Sequence, residues 1–420
     1  MTTETAPTAP LRAPRSRQRF ERKRDDILDA ATDLINERGA KGTALLDVAR
    51  AVGLNTTSVT YYFRRKDQLA AAVFERTTER LTEMVRVAGA EATPEARVRR
   101  FVQLHAELRA AVLRGDARPL ASLSDVRALE EPLRVPLEKQ YQALFREVRA
   151  FFGAPADEAH KDLLTARAHI LLELVFWLPI WISQYALDDF PRVTKRLFDI
   201  LARGMAVPGA VWRPRTLAED SGDFGAGEGG RENFLRVATQ LINESGYRGA
   251  SVERIVEKLK VTKGSFYHHL DAKDDLVLEC FRRSYKRVAN MQSRAHCSRS
   301  NEWDSLSTAI ASLLDIQFEA SWPLTRTTAL QALPAPVRLE VVQRSNRTAL
   351  RFAGTLTEGA AEGSLRVVDP LVASQMIIAM LNAAFDLRKW ASRLPRDRAI
   401  AIYASVIMDG MFDDHVLAGD

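Results

Sequence analysis

The chain has 420 residues, 46% of them hydrophobic and 27% charged, which is enough apolar material for at least two sizeable cores and too much for a disordered chain. Sixty basic residues against 54 acidic ones leave a formal net charge of +6. The two cysteines, Cys280 and Cys297, exclude a disulfide framework and lack the paired spacing of a metal site, so the expected setting is reduced and cytoplasmic, with no cofactor.

In chain order, residues 1–19 read as a basic flexible arm. Arg12, Arg15, Arg17 and Arg19 continue into Arg22, Lys23 and Arg24, with only Glu21 opposing them. Such a run suits phosphate or a minor groove, or is a solvated tail. No apolar leader-like segment occurs in residues 1–11. Residues 20–69 form a compact head. A first helix starts near Phe20, carries Ile27, Leu28, Ala31, Leu34 and Ile35 on one face and stops at Gly39. Thr43 offers an N-cap to a second helix with Leu45, Val48, Ala49 and Val52 inward, and Gly53 ends it. A tight turn then leads into a short polar and aromatic helix over 56–63 whose Val59 and Phe63 point inward.

Residues 70–205 repeat apolar positions every three or four residues and read as a first helical core. Their greasiest run, 170–182, is broken by Glu173 and Pro179 and falls short of the roughly 20 residues of a membrane span, so it predicts a buried interface helix and no membrane contact. Residues 206–230, with Pro208, Pro214 and six glycines, read as a linker that spans on the order of 80 Å when extended. A second head over 231–276 and a second helical core over 277–420 complete an all-α chain.

The second head is a copy of the first. Residues 28–69 return without a gap as residues 235–276, an offset of 235 − 28 = 207, and Leu34-Ile35-Asn36-Glu37 recurs intact as Leu241-Ile242-Asn243-Glu244. Gly39 and Gly42 return as Gly246 and Gly249, Ser58 as Ser265, and Lys66-Asp67 as Lys273-Asp274. Spacing that survives across helix, turn and helix marks duplication of a whole unit. One difference falls in the turn, where Lys260 stands for Gly53 and predicts a slightly different geometry. Both copies have the order of a helix-turn-helix.

Ser265-Phe266-Tyr267-His268-His269-Leu270, followed by Lys273-Asp274-Asp275-Leu276, resembles the recognition segment of the tetracycline-repressor (TetR/AcrR) family of bacterial regulators. Ser58-Val59-Thr60-Tyr61-Tyr62-Phe63 with Lys66-Asp67-Gln68-Leu69 is similar but departs at Thr60 and Tyr62. Ala44 also stands where the second head keeps Ser251. The resemblance implies three-helix heads on antiparallel helical bundles that bind ligand and dimerise. It implies DNA contact by Ser58, Thr60, Tyr61, Tyr62 and Lys66 in the first head and by Ser265, Tyr267, His268, His269 and Lys273 in the second. Thr56, Thr57 and Lys263, near the start of each reading helix, are better placed for base edges, with Thr43, Asn55, Ser251, Thr262 and Gly264 completing the surface.

One-headed members pair two chains to place two reading helices in successive major grooves, roughly 34–36 Å apart. Here one chain supplies both heads. Pairing within the chain predicts unlike half-sites in the operator, whereas pairing between chains predicts four heads on a longer site. Residues 163–182, 193–205, 370–390 and 397–412 are the interface segments. The resemblance also implies a pocket for a small apolar effector, for which Phe176, Trp177 and Trp181 in the first core and Phe318, Trp322 and Phe385 in the second are the aromatic candidates, or else plain core. No catalytic constellation or metal-ligand set stands out, and His296-Cys297 lacks further ligands at metal spacing. Acidic pairs such as Asp413-Asp414 read as solvated loop charges. A ligand-responsive repressor is the expectation. A helical protein–protein adaptor predicts no salt-dependent DNA affinity, and a non-specific architectural binder predicts such affinity without sequence preference.

Overall fold

A computed structural model describes residues 15–218, 229–269, 273–319, 321–326, 330, 333 and 335–418; Arg12 and the linker glycines Gly222, Gly225 and Gly227 lie outside these. The described residues contain no strand, only an isolated bridge between Ala206 and Leu365. The first unit comprises α1 (Arg15–Arg38), α2 (Leu45–Ala51), α3 (Thr56–Tyr62), α4 (Lys66–Gly89), α5 (Pro94–Arg114), α6 (Arg134–Arg149), α7 (Glu158–Trp181) and α8 (Phe190–Arg203). The second comprises α9 (Gly229–Gly249), α10 (Val252–Leu259), α11 (Lys263–His269), α12 (Lys273–Cys297), α13 (Glu302–Glu319), α14 (Ala335–Glu362), α15 (Pro370–Ala383), the short α16 (Arg388–Ala391) and α17 (Arg396–Met408).

Apart from the short α16, the order matches helix for helix. Shifting α3 by 207 gives residues 263–269, the bounds of α11, and the same shift carries Lys66 at the start of α4 onto Lys273 at the start of α12. The duplication visible in the heads therefore extends through both cores.

Local chemistry sets the helix ends. Thr93 caps α5 by accepting from Ala96 N at 3.2 Å, Pro94 occupies its first turn, and Gly115 leaves it at φ 82°. Three sequence expectations need correction. Residues 15–19 continue α1 as helix and are not a free arm, with Arg17 paired to Glu21 one turn on. The N-cap of α2 is Ala44, not Thr43, whose buried hydroxyl donates to Gly39 O at 3.1 Å. The apolar run on α7 is longer than expected: two helices, over Glu158–Gln184 and Pro370–Ala391, are long and apolar enough to cross a membrane. Both have 67% of their apolar window buried within this protein, where each supplies the other's hydrophobic surroundings.

Each head has its own core, built on Ile27, Leu28, Val48, Val59 and Phe74 in the first and on Leu235, Ala238, Ile255, Phe266 and Phe281 in the second. The helical bodies instead share one continuous core, because α7 and α8 pack against α15 and α17. Polar bonds fix this seam. His169 Nε2 donates to Ala383 O at 2.9 Å, Trp177 Nε1 to Gln375 Oε1 at 3.3 Å, and Arg196 pairs with Asp369 at 2.6 Å. Arg167, almost fully buried, reaches Asp413 O and Asp414 Oδ1, so this acidic pair is structural and not merely solvated. Backbones touch where the units end: Met205 N donates to Met408 O at 2.8 Å and Met411 N to Leu201 O at 2.6 Å, and Leu201 and Met408 are again 207 apart.

The start of the linker is docked. Ser312 and Thr308, one turn apart on α13, accept from Leu217 N at 2.9 Å and Arg215 N at 3.2 Å, and Trp303 Nε1 donates to Val211 O at 2.9 Å. Its free reach is correspondingly shorter than the extended length of the whole stretch.

Candidate DNA-reading heads and the cavity between the cores

In the first head, Asn55 caps α3 by accepting from Ser58 N at 2.7 Å; in the second, Thr262 accepts from Ser265 N at 3.3 Å. These residues are 207 apart and do the same work, which commits their side chains to the turn. The following helix is anchored by one buried residue, Val59 or its counterpart Phe266, the latter with its ring edge-on to Phe234 at 5.7 Å. The opposite face is open. Thr57 is exposed and Tyr61 is 75% exposed; in the second head Lys263 and Gly264 are exposed and Tyr267 is 56% exposed. Thr56, Ser58, Thr60 and Ser265 lie half-buried along the flanks, with the Thr60 hydroxyl donating to Thr57 O. Tyr62 turns back and packs on Phe20 of α1 with ring centroids 4.7 Å apart, so it supports the reading face more than it extends it. Lys66 is exposed at the start of α4 and Lys273 half-buried at the start of α12. His268 and His269 belong to α11, but their side chains lie outside the described residues.

Lys263, expected at base edges, is held in this structure by Glu253 of α10 at 2.7 Å. The hydrogen bond from Lys263, aided by the Glu253 backbone amide and Ser251, keeps the Glu253 carboxyl down at about 2. Ser251 caps α10, accepting from Arg254 N at 3.3 Å, and Ala44 at the matching position of the first head makes no such bond. The turn before the reading helix is alike in the two heads, contrary to expectation: Lys260 adopts φ 56° where Gly53 adopts φ 65°.

A cavity of about 940 Å³ lies between α4, α5, α6 and α7 of the first core and is closed by residues of the second half, among them Arg326, Val342, Asn382 and Asp386. Of the expected pocket aromatics, Phe176 and Trp177 line it. Trp181 is buried beside Tyr185, Phe318 packs on Trp390 and Tyr403, Trp322 sits under Arg283 and Arg287, and Phe385 is buried beneath Arg388. Trp181, Phe318 and Phe385 are buried and Trp322 is half-buried against the core of the second head, and none of the four lines the cavity. Sequence reasoning missed His105, Arg109, Tyr141 and Phe145, which line the cavity from α5 and α6. Their i, i+4 spacing was visible but is equally that of ordinary core.

The cavity wall is tied to both heads through the repeated asparagine. Asn36 donates to Leu120 O at 2.9 Å and accepts from Ser122 N at 3.0 Å; Asn243 donates to Leu324 O at 2.8 Å and accepts from Arg326 N at 2.9 Å. Each head thus clamps a segment that lines the same cavity. The segments meet at Asp386, which accepts from Arg127 at 3.0 Å and from Arg326 at 2.7 Å, while Arg127 also donates to Asn243 O. Burial alone would raise the Asp386 carboxyl, but the two guanidinium groups outweigh it and hold it below the usual range.

Elsewhere the fold brings Glu358 of α14 beside His296 and Glu302, which are close in sequence, so that the donor atoms of the three lie within 4.8 Å of one another. Arg299 binds Glu302 at 2.7 Å and supplies a counter-charge within the protein.

An exposed short helix behind a tight turn, present twice on a shared helical body, defines a helix-turn-helix DNA-binding regulator. The model for bacterial regulatory proteins of the tetR family matches residues 27–73 and 234–280, and that for a tetracyclin repressor-like C-terminal domain matches residues 300–390. The chain belongs to the tetracycline-repressor family and carries two family units in tandem. It is similar to the transcriptional repressor DhaR of Mycobacterium sp. (strain GP1), with 23% identity over 184 residues that cover 42% of this chain and 92% of DhaR. It is also similar to the repressor KstR2 of Rhodococcus jostii (strain RHA1), with 23% identity over 207 residues, 46% of this chain and 96% of KstR2. A solved TetR-family regulator from Agrobacterium tumefaciens shares 19% identity across 44% of this chain and 96% of its own, with a TM-score of 0.36. DhaR and KstR2, each matched over nearly its whole length, span less than half of this chain, as fits a protein of two units.

Proposed function

We propose that the chain is a ligand-responsive transcriptional repressor of the cytoplasm that works as a self-contained pseudo-dimer. Its two unlike heads read the two halves of an imperfect palindrome, and a small effector enters the cavity between the cores. The observation that carries this reading is the seam of α7 and α8 against α15 and α17 within one chain, combined with the open faces of α3 and α11. One-headed relatives need a second chain for that seam; here the tandem copy fills it. Thr57, Tyr61, Lys263 and Tyr267 offer side chains to the grooves, with Lys66 and Lys273 nearby for phosphates.

The test is selection of bound genomic fragments by the full chain, by Thr57→Ala and by Lys263→Ala, together with the mass of the complex. One chain per site, with each substitution relaxing a different half of the selected sequence, is the expected result. Equal effects on both halves, or two chains per site, support pairing between chains. Salt-dependent binding without a selected sequence supports an architectural binder, and absence of salt-dependent binding supports an adaptor.

A further inference from the structure

The charges around the cavity do not balance. Near Tyr141, Arg127 and Arg326 are matched by Asp386 and Glu173, all four acting on the same buried phenol. Glu138 is paired with Arg134 at 3.4 Å. Arg109 and Arg338 remain. Among the described residues Arg109 donates only to Ser183 Oγ, at 2.8 and 3.2 Å, and Arg338 only to the carbonyls of Glu37 and Leu333. Neither has a carboxylate partner among the described residues, although burial already disfavours the charged form of Arg109.

One turn before Arg109 on α5 stands His105. It is 4% exposed, it lines the cavity, and its Nε2 has no hydrogen-bond partner among the described residues. Burial keeps the imidazole neutral, with its pKa pushed down to about 3, so it exchanges hydrogen bonds with an uncharged group and does not pair with an anion. Leu81, Leu108, Phe145, Phe176 and Ile180 make the surrounding wall apolar.

From the unmatched guanidinium, the orphaned imidazole nitrogen and the apolar wall, we infer that the cavity takes an amphipathic carboxylate, its anionic end at Arg109 and an uncharged hydroxyl or carbonyl at His105. Four residues of α5 rise about 6 Å, which places the second polar group within a few carbon atoms of the carboxylate. The inference rests on the cavity being the effector site and adds the chemistry of its occupant.

Titration calorimetry of the full chain without DNA tests it, with dodecanoate, 3-hydroxydodecanoate, dodecanol and dodecylamine as probes. The expected order places 3-hydroxydodecanoate first and dodecanoate second, with the alcohol and amine at least tenfold weaker. Arg109→Gln abolishes the preference for carboxylate over alcohol, Arg109→Lys restores much of it, and His105→Phe removes only the advantage of the 3-hydroxyl. Equal or tighter binding of the amine or alcohol, no binding of either carboxylate, or an unchanged carboxylate affinity in Arg109→Gln overturns the inference. A 3-hydroxyl advantage that survives in His105→Phe overturns the role of His105. DNA retention by the ligand-free chain is measured separately. DNA binding without carboxylate preference sinks this inference alone, whereas carboxylate preference without DNA binding sinks the regulator reading alone.

Discussion

Lys260 holds φ 56° and ψ 41° at the end of α10, a left-handed conformation that costs a side-chain-bearing residue about 1–2 kcal/mol and a glycine little. Gly53 fills the matching position, so the fold requires the conformation in both heads and the second one bears the strain. Lys260→Gly should therefore raise stability by about 0.5–1 kcal/mol after allowance for the added freedom of glycine in the unfolded chain, read as a shift in the urea midpoint. His105 gives a second residue-scale prediction. Its folded pKa of about 3 lies below the unfolded 6.5, so the unfolded chain takes up a proton first as pH falls, and stability drops below about pH 6.5. His105→Phe should remove about 2 kcal/mol of the loss seen between pH 6.5 and pH 5, at 1.4 kcal/mol per unit. Parallel curves for the two proteins over that interval would show that His105 titrates normally.

At the scale of elements, the two reading helices share a construction and differ in charge. Both have a capping side chain, one inward residue and an open face, but only α11 begins with a lysine, and that lysine is tied back to Glu253. Glu253→Gln should free Lys263 for phosphate or base. DNA binding then tightens, and the slope of log affinity against log salt steepens by about one, measured by anisotropy titration. A slope identical to that of the unaltered chain would mean that Lys263 does not reach the DNA. The inward anchor Val59 was legible from helical spacing and its counterpart Phe266 from the 207-residue repeat, whereas the capping roles of Asn55 and Thr262, expected on the DNA-facing surface, were not. The Tyr62–Phe20 stack and the Lys263–Glu253 pair were not, since both join residues from different helices.

On the scale of the whole molecule, the halves meet so closely that glycine is required. A Cβ on Gly204 would stand 2.4 Å from the backbone of Asp409, and one on Gly410 2.9 Å from Ala202 O, both at positive φ. Gly204→Ala should cost about 2–3 kcal/mol through strain and displaced backbone, and it should loosen the seam without touching either head. Unfolding followed by denaturant and DNA affinity followed separately would expose the coupling: both fall if the heads depend on the seam. Asp386 is the second joint. Replacing it with Asn leaves Arg127 and Arg326 without their shared carboxylate, and because Asp386 and Arg127 are only half-buried the loss should be about 1.5–3 kcal/mol. Wild-type stability in that variant would remove Asp386 as the link between the two clamped segments.

The sequence by itself determined the helical class, the two heads, their order of helices and their inward residues, because helix periodicity, caps and a repeat of constant spacing are properties of neighbours along the chain. It also marked the right stretches for the seam, since long apolar runs such as that on α7 must be covered by something. Only the tertiary structure decided what covers them, that the start of the linker is docked on α13, and that the cavity is walled by α5 and α6 and closed by the other half. Those outcomes depend on which apolar face meets which, and on partners hundreds of residues apart. His105, Arg127 and Asp386 look like any core or surface residue until the fold brings them to one wall.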